Sequence, residues 1–158
     1  MGASPKGKVF YKAFHDFEKI KQDHIHEDKS NRFSISISQD HYEEYFKDKT
    51  LKTSIDIQSN QLHGPAVCFY KNGQAKEDTT FYKNMLHGQY LMYDKGGTKI
   101  ASYNFNYGKL SGLQTKYYSN GKPKIVTAYK DGKRHGLMKK FNLHGEMVSS
   151  KLFDYGKR

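Results

Sequence analysis

Residues 81–105 read FYKNMLHGQYLMYDKGGTKIASYNF, and they place Phe81, Tyr93 and Phe105 twelve positions apart. The spacing continues in both directions: Phe33, Tyr45, Ile57, Phe69, Phe81, Tyr93, Phe105, Tyr117, Tyr129, Phe141 and Phe153. Aromatic residues are 15% of the chain, so this row is not a product of composition. A short fixed period means one small unit, copied and stacked.

Glycines mark a doubled period of twenty-four. Gly64, Gly88, Gly112 and Gly136 form one set, and Gly73, Gly97, Gly121 and Gly145 a second. A third set runs Asn60, Asn84, Gly108, Gly132 and Gly156, with Asn standing where positive φ is needed. Asn72-Gly73, Gly96-Gly97 and Asn120-Gly121 read as hairpin turns. Each unit is therefore two strands and two turns, with one aromatic per strand. The pattern predicts an all-β fold: a single-layer antiparallel β-meander of about eleven strands, roughly 50 Å across at ~4.8 Å per strand. Alternation of side chains predicts that the aromatics line one face, with residues twelve apart as cross-strand neighbours. On that reading Tyr117→Ala costs about 3 kcal/mol or more if its ring is buried.

Three segments follow. Residues 64–158 are regular repeats, 32–63 degenerate ones, and 1–31 an N-terminal cap. In the cap, Phe10, Phe14, Phe17 and Ile20 recur at helical spacing after Ser4-Pro5, predicting a short helix near 6–21. An extended Val9-Phe10-Tyr11 is the competing reading, and 22–31 reads as a loop.

The composition bounds function. Apolar residues are only 35% of the chain, which suits a sheet with one wet face. One Cys excludes an internal disulfide. No apolar run is long enough to predict a membrane helix. The N-terminus lacks the apolar stretch of a signal peptide, so the expected location is cytoplasmic or within an assembly. The formal net charge is +11. Residues 1–63 carry ten basic and ten acidic side chains, whereas 109–158 carry twelve and three. The charge therefore sits in the regular repeats. It predicts an acidic protein partner, with anionic lipid headgroups as another candidate and nucleic acid disfavoured. The basic surface is assigned to Lys116, Lys124, Lys133, Arg134, Lys139 and Lys140, on the non-aromatic face of the third and fourth repeats. The same lysines also protect sheet faces and edges from aggregation. The last strand, ending near Asp154-Tyr155-Gly156, leaves an edge open to self-association.

Chemistry finds no foothold. His63, His87 and His135 occupy one repeat position, two strands or about 9–10 Å apart, too far for shared metal ligation. His24 and His26 lack third and fourth ligands. Cys68 has Met92, Lys116 and Lys140 as repeat counterparts. No nucleophile elbow, phosphate loop or dinucleotide fingerprint occurs. No catalytic residue, metal or cofactor is expected, and the protein is read as a non-enzyme.

Leu86-His87-Gly88 through Tyr93 to Gly97, and Tyr129-Lys130-Asp131-Gly132-Lys133-Arg134-His135-Gly136 followed by Phe141, resemble MORN repeats. They are most similar to the variant found in antitoxin components of bacterial toxin–antitoxin systems. The resemblance covers residues 60–158 and extends in degenerate form to about 32. It implies a β-meander used for protein–protein contact, as an antitoxin or as a scaffold in a membrane-apposed or virion-like assembly. Lipid binding implied by other MORN proteins does not carry over, because this chain lacks Trp.

Overall fold

The computed structural model describes residues 35–37, 41–59 and 61–157. Phe33 and the cap at 1–31 lie outside the described residues. The described residues form one antiparallel sheet with no helix. Its strands are β1 (Ile35–Ile37), β2 (His41–Tyr45), β3 (Leu51–Gln58), β4 (Gln61–Phe69), β5 (Ala75–Tyr82) and β6 (Met85–Tyr93). They continue as β7 (Lys99–Asn106), β8 (Lys109–Leu110), β9 (Gly112–Tyr117), β10 (Pro123–Lys130), β11 (Lys133–Phe141) and β12 (Met147–Phe153). Eleven strands follow one another in sequence order, and the two-residue β8 pairs only with β7.

Two kinds of turn alternate along the chain. At one end of the strands the turns have two residues. Lys83 and Asn84 have φ of 48° and 66°, and Asp131 and Gly132 have 51° and 80°. Two consecutive positive φ angles give the mirror-image turn whose twist matches that of the paired strands. At the other end the loops are longer. The Gly73 N–H donates to Tyr70 O at 2.9 Å, and the Tyr70 N–H to Gln74 O at 2.8 Å. Here only Gly73 needs positive φ (80°), and Asn72 serves differently. Its side chain accepts from Gln74 N and donates to Lys95 O in the neighbouring turn, at 3.2 Å and 2.8 Å. Asn120 repeats that link to Leu143 O at 3.0 Å.

Each long hairpin contains the same bulge. Between Cys68↔Glu77 and Phe69↔Ala75, β4 advances one residue while β5 advances two, leaving Lys76 extra. Lys52, Ile100, Lys124 and Val148 are its equivalents. An extra residue of this kind bends the strand and strengthens its twist.

The register corrects two expectations about the aromatic ladder. Phe69 pairs with Ala75, and Phe81 with Gly64 and Leu86, so ladder members twelve apart are not cross-strand neighbours. They form two rows at opposite ends of the strands, because a meander reverses direction every twelve residues. The rows also face opposite ways. Phe81, Phe105, Tyr129 and Phe153 share a face with Thr79 and Tyr90, whereas Tyr45, Phe69, Tyr93, Tyr117 and Phe141 lie one step beyond residues of that face. The first row holds the buried rings Phe81 and Phe153, each opposite a glycine, Gly64 and Gly136. Tyr117 is only half-buried, with Lys99 Nζ 5.0 Å from its ring centroid, so the large loss assigned to it belongs to the buried row.

Tyr42, Ile55, Ala66, Thr79, Tyr90 and Ala101 complete the buried face of the first strands. Thr53, Glu77, Gln114 and Thr127 are buried on the same face. Gln114 is satisfied by backbone: its Oε1 accepts from Asn104 N at 2.8 Å, and its Nε2 donates to Ser111 O at 3.0 Å. It fills the gap where the chain jogs between β8 and β9.

Candidate functional site

The buried face changes character along the sheet. At one repeat position it carries Cys68, Met92, Lys116 and Lys140 in turn. The cross-sheet row Ala101–Lys116–Ile125–Lys140–Ser149 starts buried and ends exposed. Lys151, opposite Met138, extends this exposed basic area. Sequence reasoning passed over Lys151, although period-two counting from Phe153 places it on that face.

The six assigned basic residues do not form one patch. Lys116, Arg134 and Lys140 lie on the buried face's side, and Arg134 stacks its guanidinium over Phe153 at 4.8 Å. Lys139 projects from the opposite face, next to Lys140 in a regular strand. Lys133 sits beside a two-residue turn, paired with Lys130. Lys124 is the extra residue of a bulge at the far end, with Nζ 5.2 Å from the Tyr118 ring centroid. The placement of the basic surface on the non-aromatic face is thus corrected: Lys116 and Lys140 share a face with Phe105, Tyr129 and Phe153.

The opposite face of β9–β12 exposes leucines beside Lys139, Ser150 and Thr115. Leu113, Leu137 and Leu152 are 57%, 44% and 68% exposed, and Val148 is 61% exposed. Leu137 pairs with Leu152, and Leu113 with Ala128. One end of the sheet therefore offers Lys116, Lys140 and Lys151 on one face, and leucines with Lys139 on the other.

At the other end, β2 and β3 assemble a polar relay. His41 Nδ1 lies 2.8 Å from Asp56 Oδ1, and His41 Nε2 lies 3.2 Å from Ser54 Oγ. Sequence spacing hid it, because antiparallel register alone sets His41 opposite Asp56. The order of groups is that of a serine nucleophile, a base and an orienting acid. Acyl transfer also needs N–H donors aimed at the developing oxyanion. β3 is an internal strand paired with β2 and β4 on either side, and its pairing with β4 is interrupted between Ile55 and Ile57. Glu43 Oε1, 3.6 Å away, competes for the same His41 nitrogen. The relay is a hydrogen-bonded side-chain ladder on the sheet surface.

A second cluster is buried. The Tyr90 hydroxyl donates to Glu77 Oε2 at 2.6 Å, and Thr53 Oγ1 donates to Cys68 Sγ at 3.9 Å. Glu77 pairs with Cys68 across the β4–β5 ladder. Burial, and next the Glu77 carboxylate, push the Cys68 thiol up to about 11. The thiolate is the reactive form, so Cys68 should alkylate slowly. At pH 8, iodoacetamide is expected to modify native Cys68 at least tenfold more slowly than the urea-unfolded chain, by mass spectrometry. Equal rates would show the thiol to be open to solvent.

The repeat histidines lie against tyrosines with their rings tilted by 39–50°. His63 and Tyr82 have centroids 5.0 Å apart, His87 and Tyr107 4.6 Å, and His135 and Tyr155 4.6 Å. Among the described residues, no group of three or more His, Cys, Asp and Glu side chains could hold a metal ion. Among them too, no helix is long and apolar enough to cross a membrane.

No family model matches the chain, and no curated protein does. Among solved structures it is similar to a mutant of S. aureus TarM in complex with Fondaparinux, alpha-GlcNAc-glycerol and UDP (13% identity, TM-score 0.43, covering 85% of this chain and 32% of that one). It is also similar to TarM (12%, TM-score 0.41, 78% and 27%) and to the GtfA/B complex bound to UDP and GlcNAc (14%, TM-score 0.35, 84% and 26%). The chain thus spans at most 32% of these larger chains.

Proposed function

We propose that the protein is a non-enzymatic interaction module, a MORN-like meander that binds an acidic protein partner through the basic end of its sheet. One observation carries this reading: the face that is buried in β2–β6 carries exposed Lys116, Lys140 and Lys151 in β9–β12, beside Ile125 and the buried Gln114, Thr127 and Phe153. Lys116 and Lys140 fill the position held by Cys68 and Met92 in earlier repeats, and Lys151 fills that of Ile55, Thr79 and Thr127, so charge enters positions of the buried face toward the C-terminal strands. Fields of one sign speed association with the opposite sign and weaken with salt. A partner neutralised in this way, such as a cognate toxin, is the antitoxin form of the same reading.

The test is capture from native extract by the immobilised chain, wild type against Lys116→Glu/Lys140→Glu. One stoichiometric acidic partner is expected. It should be lost in the double variant and released near 1 M salt, where the screening length falls to ~3 Å. Unchanged thermal midpoints would show that the variant is folded. Equal capture by both proteins at high salt would overturn the reading, and recovery of several assembly components instead would favour a scaffold.

A further inference from the structure

Strand β12 pairs with β11 on one side and has no partner on its other side among the described residues. That outer edge is a pairing edge in every earlier repeat. Glu77, Asp78 and Thr79 of β5 pair there with Met92, Leu91 and Tyr90. Ile125, Val126 and Thr127 of β10 pair there with Lys140, Lys139 and Met138. The β12 equivalents are Ser149, Ser150 and Lys151. The bulge at Val148 does not block pairing, since β5 and β10 carry the same bulge at Lys76 and Lys124 and still accept a neighbour.

The backbone direction of β12 follows from its last turn. The Asp154 N–H donates to Lys157 O at 3.0 Å, on the side away from β11. Alternation then points the N–H and C=O of Leu152 and Ser150 outward as well. Side chains set the chemistry of an incoming strand. Ser149 and Lys151 lie on the face that carries Lys140, whereas Leu152 lies on the face of Leu137. A strand beside them places alternate residues against lysines and against leucine.

We infer that the outer edge of β12 accepts an extended segment of another protein as an added antiparallel strand. Its carboxylates lie on the Lys140 and Lys151 face and its apolar side chains on the Leu152 face. The inference rests on the reading of an acidic protein partner and specifies where that partner engages. Charge decides against a second copy. Residues 109–158 carry twelve basic and three acidic side chains, so joining two such ends opposes like charges. Added strands draw affinity from main-chain hydrogen bonds and specificity from alternate side chains.

The probes are fluorescein-labelled eight-residue peptides: alternating Glu and Val, alternating Lys and Val, and the Glu/Val peptide N-methylated at alternate residues. Fluorescence anisotropy with the 158-residue chain should show the Glu/Val peptide binding at least tenfold more tightly than the other two. Lys151→Glu and Leu152→Pro should each weaken it at least tenfold, with Ser150→Pro as the substitute if Leu152→Pro does not fold. Sedimentation should show a monomer without peptide. The inference is overturned if the N-methylated peptide binds as well as its parent, if the folded proline variant binds like wild type, or if proline abolishes a dimer. Peptide binding unaffected by proline would remove the edge assignment alone, because capture in native extract still reports on the Lys116 face.

Discussion

Tyr90→Ala is expected to remove about 4 kcal/mol or more of stability, read from urea unfolding curves. Tyr90 is 0% exposed and its ring meets those of Tyr103 and Phe105 edge-on, each at 6.2 Å between centroids. Truncation leaves a cavity in a sheet with few other large buried side chains. It also strips Glu77 Oε2, in a side chain 5% exposed, of its 2.6 Å partner, while Oε1 keeps Lys76 Nζ at 3.5 Å. A buried polar atom that loses its hydrogen-bond partner adds roughly 1–3 kcal/mol. Tyr90→Phe separates the two effects, because it keeps the ring and removes only the hydroxyl. It should cost roughly 1.5–3 kcal/mol, the range of a hydrogen bond to a charged group. A typical domain has only 5–15 kcal/mol in total, so Tyr90→Ala should be visibly fragile at room temperature. A loss below about 1 kcal/mol for both variants would show that Tyr90 does not anchor the buried face.

Alkali should destabilise the protein steeply between pH 9 and 11. Burial is the first cause that raises Tyr42, Tyr90 and Tyr103 above the ordinary phenol value of 10.0, and Cys68 from 9.0 to about 11. The folded state therefore holds these protons more tightly than the unfolded chain does. Their stabilisation is complete below pH 9 and is lost as pH rises, because the unfolded chain then binds fewer protons. Each fully engaged group subtracts about 1.4 kcal/mol per pH unit. Even two of them would halve the stability of a marginal domain within about two pH units. Urea midpoints at pH 8, 9, 10 and 11 measure the effect, and Tyr42→Phe should flatten the curve. A midpoint independent of pH over that range would mean that the hydroxyls are solvated.

Much of the fold was legible because its signal is periodic. Gly73, Asn84, Gly132 and Gly145 sit where positive φ is required, and the turn spacing counts strands without knowledge of their contacts. The candidate site was legible only as a list of residues. Lys139 and Lys140 are neighbours in sequence and point to opposite faces. Lys151 is eleven residues from Lys140 and joins the same face. His41, Ser54 and Asp56 met through register, which is set by the bulged pairing of β2 with β3 and not by any local motif.

The twelve-residue period by itself determined that the described residues form an antiparallel meander, and the sequence alone places the charge toward the C-terminus. Such information is local: a turn type or an alternation needs only a few neighbouring residues. Tertiary structure alone decided that the aromatics divide into two rows. It also decided that only the row opposite Gly64 and Gly136 includes the buried rings Phe81 and Phe153, and that lysines surface where the buried face opens. The physical reason is that register depends on where each turn and bulge falls. Shifting a strand by one residue exchanges every side chain between faces while leaving the sequence period untouched.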